Sequence, residues 1–214
     1  MRLTKHTHAC VAFTGGGDGT LLVDPGTFTP DAAKLIAEAT AVLVTHEHFD
    51  HFDDAALAVE LDRRPELRVY GPAAIREKLG ERDGRVVAVR AGDRLEVAGF
   101  RVEVHGERHA LIHEDIPLVD NVGYLVEGRV FHPGDSYRVP EAEVETLLLP
   151  TSGPWTKLGE AAEFVRAVRP ARMIQVHELM LSELGQNSAR MLLGEKGLTG
   201  LPLEILPAGE STDV

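Results

Sequence analysis

Between a short apolar run, Ala41-Val42-Leu43-Val44, and a stretch with helical character stands Thr45-His46-Glu47-His48-Phe49-Asp50-His51. No other segment constrains the chain as much, because His46, His48, Asp50 and His51 crowd one strand-to-helix junction. Histidines two apart can turn to one ion, while the Asp-His pair just beyond can address a second ion nearby, which is how a two-metal centre is generally assembled. The competing reading is a solvated polar loop without metal. The ligand density and the strand-loop-helix setting favour metal.

The rest of the chain must supply a scaffold for that loop. Its 214 residues suit one domain spanning 1–214, long enough to bury a core without covalent staples. Cys10 is the only cysteine, which excludes an intramolecular disulfide and a thiolate metal site. It lies in an apolar segment with no evident base to activate it as a nucleophile. Lysine and arginine number 22 against 34 acidic residues, a net charge of −12. That balance disfavours nucleic acid as a partner, since such affinity comes largely from cations displacing phosphate counterions. The start MRLTKHTHAC has no apolar signal region, and no stretch approaches the roughly 20 apolar residues of a membrane span. A cytoplasmic protein without a membrane partner, acting on a small molecule, is the expectation; the sequence does not specify an oligomeric state.

Apolar alternation and β-branched content predict strands at Ala9–Phe13, Leu21–Asp24, Ala41–Thr45, Arg68–Tyr70, Val86–Val89, Arg94–Val97, Phe100–Val104, Gly123–Val126, Arg129–His132, Leu147–Leu149, Arg172–Val176 and Leu203–Leu206. Helices are predicted from Thr29-Pro30-Asp31 onward, with Ala33, Ile36 and Ala37 as the apolar stripe, and at Asp53–Arg63, Ala73–Leu79, Gly159–Val168 and Ser188–Glu195. Gly15–Gly19 reads as a hairpin connection, not a phosphate loop, since no Gly-Lys-Ser/Thr follows. Strands dominate each half with helices inserted singly, a pattern that predicts an α+β fold of two mixed sheets packed face to face with helices outside.

The motif His-x-His-x-Asp-His, met at every position from His46 to His51, resembles the signature of the metallo-β-lactamase superfamily. The likeness continues in Asp24 of LLVDPG, in Gly134-Asp135 of VFHPGDS and in His177 of MIQVHE, over nearly the whole chain from Leu21 to the closing LPAGE. The resemblance implies a four-layer αβ/βα sandwich with two divalent ions at one edge, zinc first, with manganese or iron as alternatives. It implies that His46 and His48 hold the first ion with one further histidine, that Asp50, His51 and His177 hold the second, and that Asp135 bridges both. Asp24 would orient the ligand loop through hydrogen bonds. For the missing histidine, His105, His109 and His113 all fall in the right interval. The superfamily usually places this ligand in the loop after the strand, which favours His109, with His113 as the alternative and the loser left facing substrate.

In the branch that includes the phosphorylated-ascorbate lactonases, a Gly-His-Ala-like element occupies the place of His8-Ala9, with Thr7 here instead of glycine. His8, which alternation sets on one strand face with His6, is thus expected either near the site or as a buried polar strand residue. His132 is expected either beside the ligands or packed in its strand. Pro150–Trp155 should form a loop over the metals, with Trp155 as pocket wall or core residue.

Two ions bridged by Asp135 would lower the pKa of a shared water and polarise a scissile carbonyl or phosphoryl oxygen, with Asp50 and Asp135 as the carboxylates closest to the chemistry. The implied activity is hydrolysis of a small ester-like substrate, a lactone or phosphodiester. An iron-dependent oxidoreductase or a non-catalytic small-ligand binding protein on the same fold is the alternative.

Overall fold

The computed structural model describes residues 1–214 except Gly16 and Asp18, so the connection predicted at Gly15–Gly19 lies partly outside the described residues. The first half runs β1 (Arg2–Lys5), β2 (Val11–Thr14), β3 (Leu21–Val23), α1 (Ala32–Glu38), β4 (Ala41–Leu43), α2 (Asp54–Arg63), β5 (Arg68–Gly71), α3 (Ala73–Leu79) and β6 (Val86–Ala88). The second runs β7 (Arg94–Val97), β8 (Phe100–His105), β9 (Gly123–Val126), β10 (Val130–His132), β11 (Thr146–Pro150), α4 (Leu158–Val168), β12 (Arg172–Val176), α5 (Glu183–Leu193) and β13 (Leu203–Glu204), before β14 (Ser211–Asp213).

Two seven-stranded sheets result, in the orders β14-β1-β2-β3-β4-β5-β6 and β13-β12-β11-β10-β9-β8-β7. Each is antiparallel in one part and parallel in the other: β1 to β3 meander and β3 to β6 run parallel, while β7 to β10 meander and β10 to β13 run parallel.

Side chains alternate across a strand, and the apolar residues here fill both faces. Val11, Phe13, Leu21, Val23, Ala41 and Leu43 of the first sheet meet Val102, Val104, Tyr124, Leu148, Ile174 and Val176 of the second in a central core. Their neighbours Ala12, Leu22 and Val42 face outward to Ile36, Leu57, Leu61 and Ile75 of α1 to α3. Leu147, Leu149 and Met173 face outward to Ala161, Phe164 and Val165 of α4 and Leu193 of α5. These are the two face-to-face mixed sheets with outer helices that the strand pattern predicts, arranged as the four-layer αβ/βα sandwich that the resemblance implies. No helix of the described residues is long and apolar enough to cross a membrane.

Several boundaries differ from the sequence expectation. The strand predicted at Ala9–Phe13 begins at Val11, because His8 has φ +61° and the Cys10 N–H donates to the Thr7 carbonyl at 3.1 Å. His6 and His8 therefore do not share a strand face; His8 sits in a tight turn between β1 and β2. Strand β1 is missing from the sequence expectation because RLTK reads as polar, yet Leu3 and Lys5 are buried, with the Lys5 ammonium 2.8 Å from Glu178 Oε1. Its partner β14 is short and polar. The last helix starts at Glu183 instead of Ser188, because Ser182 Oγ caps it by accepting from the Gly185 N–H at 3.2 Å, a start that Gly185 obscures in the sequence.

Polar bonds also tie the two sheets, one of them in the middle of the core. Tyr124, fully buried on β9, donates from its hydroxyl to the Val44 carbonyl at 2.8 Å, just beyond β4. Tyr124→Phe strands that carbonyl between the sheets, and we expect it to lower unfolding free energy by about 1–3 kcal/mol in urea titration. A change within measurement error would mean that the bond contributes nothing to holding the ligand loop in place.

Candidate metal centre

Irregular backbone is tolerated where strands stop, and the residues singled out above cluster at strand ends: Asp24 after β3, His46 after β4, His109 after β8, Asp135 after β10 and His177 after β12. Asp24 organises the first of these loops. One carboxylate oxygen accepts from the Thr45 N–H at 2.7 Å; the other accepts from the Thr45 hydroxyl at 2.7 Å and from His51 Nδ1–H at 2.7 Å. Gly26 lies flat against the backbone of Asp50 and His51, where any Cβ would collide, and the Thr27 N–H donates to the Phe49 carbonyl at 2.8 Å. The two loops are thereby stitched together.

These bonds decide which ring nitrogen faces inward. His51 spends Nδ1 on Asp24 and turns Nε2 to 3.1 Å from Asp135 Oδ1. His109 spends Nδ1 on the Ala110 carbonyl at 2.6 Å and turns Nε2 to 3.4 Å from Asp135 Oδ2. His46 meets Thr45 Oγ1 with Nδ1 at 3.0 Å and His48 Nδ1 with Nε2 at 3.1 Å. His177 Nε2 stands 3.1 Å from Asp135 Oδ2 and 3.5 Å from Asp50 Oδ2.

The donor atoms fall into three overlapping groups, each within 4.8 Å: His46, His48 and His109; His46, His51 and Asp135; His8, Asp50, His51 and His177. His51 Nε2, His109 Nε2, His177 Nε2 and Asp135 Oδ1 are buried with no hydrogen-bond partner. Orphaned polar atoms of this kind are costly away from water. Cations held within these groups would satisfy such atoms, so the donor set fits metal.

The charges point the same way. Burial opposes charge on His51, yet Asp135 and Asp24 outweigh it and raise its pKa well above the ordinary value. Burial likewise opposes the Asp135 charge, but His51 and His177 hold that carboxyl well below the usual range, and the neighbouring imidazoles of His177 and His8 do the same for Asp50. Burial pushes His46 well down, with His51 adding to it, and burial also lowers His48, so both imidazoles stay neutral and keep a lone pair to donate. Cys10 offers no competing nucleophile, since burial pushes its thiol up to about 12.

The family described as a beta-lactamase superfamily domain matches residues 2–177. The chain belongs to this superfamily. It is similar to Protein Rv0786c of Mycobacterium tuberculosis, 37% identical over 187 residues, or 85% of this chain and 86% of that one. It is also similar to UPF0173 metal-dependent hydrolase MK1542 of Methanopyrus kandleri, 33% identical and covering 99% of each chain. In fold it matches Igni18, a metallo hydrolase of Ignicoccus hospitalis, with a TM-score of 0.72 at 18% identity, over 99% of this chain and 97% of the other.

Within this superfamily member, not every residue singled out from the sequence reaches the cluster. His113 is exposed and faces Asp115 at 3.5 Å, outside every donor group. His105 ends β8 half-buried, edge-on to Phe131. His132 is fully buried and bonded on both nitrogens, to the Ala9 carbonyl at 2.8 Å and the Gly134 N–H at 3.2 Å, so it ties β10 to the turn that carries His8. Sequence reasoning missed the part played by Trp155, whose Nε1–H donates to Asp135 Oδ2 at 2.8 Å from the loop after β11. It also missed Asn121, whose Oδ1 accepts the Asp135 N–H at 3.0 Å and whose Nδ2 donates to the Pro133 carbonyl at 2.9 Å. Only the proximity of Trp155 to a Pro-Thr-Ser-Gly-Pro loop hinted at it; nothing local marks Asn121.

Asp24→Ala removes the acceptor of three buried donors, each costing about 1–3 kcal/mol when orphaned. Chemical unfolding of the metal-free protein should register a loss of at least about 3 kcal/mol. A loss below about 1 kcal/mol would show that some other contact holds the ligand loop.

Proposed function

We propose that this protein is a metal-dependent hydrolase that holds two divalent ions and cleaves a small ester-like substrate, a lactone or phosphodiester. The observation that carries the reading is Asp135, which stands between both donor groups: its Oδ2 lies 3.4 Å from His109 Nε2 of one group and 3.1 Å from His177 Nε2 of the other, with Oδ1 3.1 Å from His51 Nε2. His46, His48 and His109 would hold one ion, Asp50, His51 and His177 the other, and Asp135 both. When bound, such a pair supplies Lewis acidity and makes water more acidic near neutral pH. The names carried by MK1542 and Igni18, a metal-dependent hydrolase and a metallo hydrolase, support the same class.

The protein's own groups prepare the centre. Trp155 and Asn121 hold the Asp135 loop from both sides, and the Ala110 N–H donates to the Asp135 carbonyl at 2.8 Å, coupling the His109 loop to it. His48 and Asp50 alone among the proposed ligands are partly open to solvent, so substrate approaches there. Phe49 between them is 62% exposed, and Ile112, Ile116 and Leu118 line a small pocket with His48 and His109. An apolar body next to the scissile group suits that rim.

Arg108 is engaged with Asp120 at 3.5 Å, whereas Arg138 has no ion-pair partner among the described residues and is the cation available to an anionic substituent. A long polyanion would meet the net charge of −12, which favours a small substrate over nucleic acid. Histidine and aspartate suit zinc, manganese and iron alike, so reconstitution must try each in turn.

Elemental analysis should find about two equivalents per chain, and the loaded protein should hydrolyse at least one member of a panel of lactones, phosphodiesters and thioesters while leaving structured RNA intact. Fewer than one equivalent with all three metals, or cleavage of RNA alone, would overturn the proposal. Among variants, His109→Ala should lose one ion and His113→Ala neither, by the same analysis. Asp135→Asn should lower kcat more than it raises KM, because it disturbs the shared donor and leaves the apolar rim in place.

A further inference from the structure

We propose that His8 is a ligand of the second ion, making that position richer in protein donors than the first. The inference rests on the two-ion reading above and adds a residue to it. His8 lies far from the ligand motif in sequence, but it is fully buried, and its Nε2 stands 3.0 Å from Asp50 Oδ2. Its ring centroid is 3.8 Å from that of His177, and its donor atom shares one group with those of Asp50, His51 and His177.

Donors held by one ion at about 2.0–2.2 Å must lie about 2.8–3.6 Å from their nearest neighbours, by simple octahedral or tetrahedral geometry. The contacts His51 to Asp135 at 3.1 Å, His177 to Asp135 at 3.1 Å and His177 to Asp50 at 3.5 Å all fall in that range. So does His8 to Asp50. The first ion's group has no such addition, containing only His46, His48 and His109 with Asp135 beside them.

The backbone around His8 is built to hold it there. Its φ of +61° is unfavourable for a side chain with a Cβ and persists only where surroundings enforce it. The His177 N–H donates to the His8 carbonyl at 3.0 Å, while Glu178 Oε1 accepts from the His8 N–H at 3.3 Å and from the buried Lys5 ammonium at 2.8 Å. The turn carrying His8 and the loop carrying His177 are therefore clamped to each other. His132 adds a third tie through the Ala9 carbonyl.

The rival role is orientation, in which His8 Nε2–H donates a hydrogen bond to Asp50 and never meets the ion. The two roles put the proton on different nitrogens. In zinc-loaded wild-type protein with 15N-labelled histidine, a ligand His8 carries no proton on Nε2, whereas an orienting His8 keeps it and shows the one-bond N–H coupling. Variants separate the roles a second way. Glutamine can donate to Asp50 but binds zinc weakly; glutamate can ligate but repels Asp50 when no ion is present.

If His8 is a ligand, His8→Gln should weaken the second zinc by about 10–100-fold in chelator competition, leave the first in place, and be outperformed by His8→Glu. A proton retained on His8 Nε2, or glutamine matching wild type while glutamate fails, would overturn the proposal. Wild-type protein that binds no metal would instead defeat the two-ion reading, and the two failures are distinct.

Discussion

The Asp24 carboxylate is the contact on which the rest of the centre depends. It reaches from the end of β3 to Thr45 and His51, the first and last residues of the ligand loop, and so sets both its path and the tautomer of one of its rings. From there the order propagates. Thr45 Oγ1 meets His46, whose Nε2 is thereby turned to His48. A buried network of this kind is stabilising only when its members are satisfied, and most of these atoms point at one another across a space that protein donors alone leave unsatisfied.

Why the centre lies where it does follows from the sandwich. Each sheet runs parallel through its later strands, so the carboxyl ends of β3, β4, β10, β11 and β12 gather at one edge, where the chain leaves regular structure and side chains converge from separate loops. Left-handed backbone occurs at three of the converging residues. His8, Asp24 and His177 all adopt φ between +51° and +61°, conformations that side chains avoid unless the surroundings impose them. Asp24 accepts this with little penalty because a short polar side chain tolerates the left-handed region. For the two histidines the clamp through Glu178 and the His8 carbonyl supplies the constraint.

Electrostatically the cluster is a set of mutual dependences. Asp135 stays ionised while fully buried because His51 and His177 flank it, and His51 in turn sits between Asp135 and Asp24. Neutral His46 and His48 stand on the other side of Asp135. One end of the centre is therefore carboxylate-rich and the other imidazole-rich, an asymmetry already present in the motif, whose two leading histidines fall in one donor group and whose Asp50-His51 pair falls in the other.

Much of this was legible in the residues. Short apolar and β-branched runs revealed nearly every core strand and the two-sheet architecture, because each inner strand is buried on both faces, and the density of His46 to His51 singled out that loop as a candidate for metal without any knowledge of the fold. Between His109 and His113, four residues apart in one loop and chemically identical, sequence favoured His109 on loop placement alone; the contact of His109 Nδ1 with Ala110 and its seat beside Asp135 give that preference a physical basis. Nor could alternation find β1, β14 or the true place of His8, because both strands are short and polar and a turn at a non-glycine residue leaves no local signature. The sequence by itself determined which residue types are available and which strands carry them to an edge. Only the tertiary structure decided which histidines meet, because convergence of Asp24, Asp135, Trp155, His177 and His8 on one point depends on contacts between segments far apart in the chain, and local pattern carries no information about those.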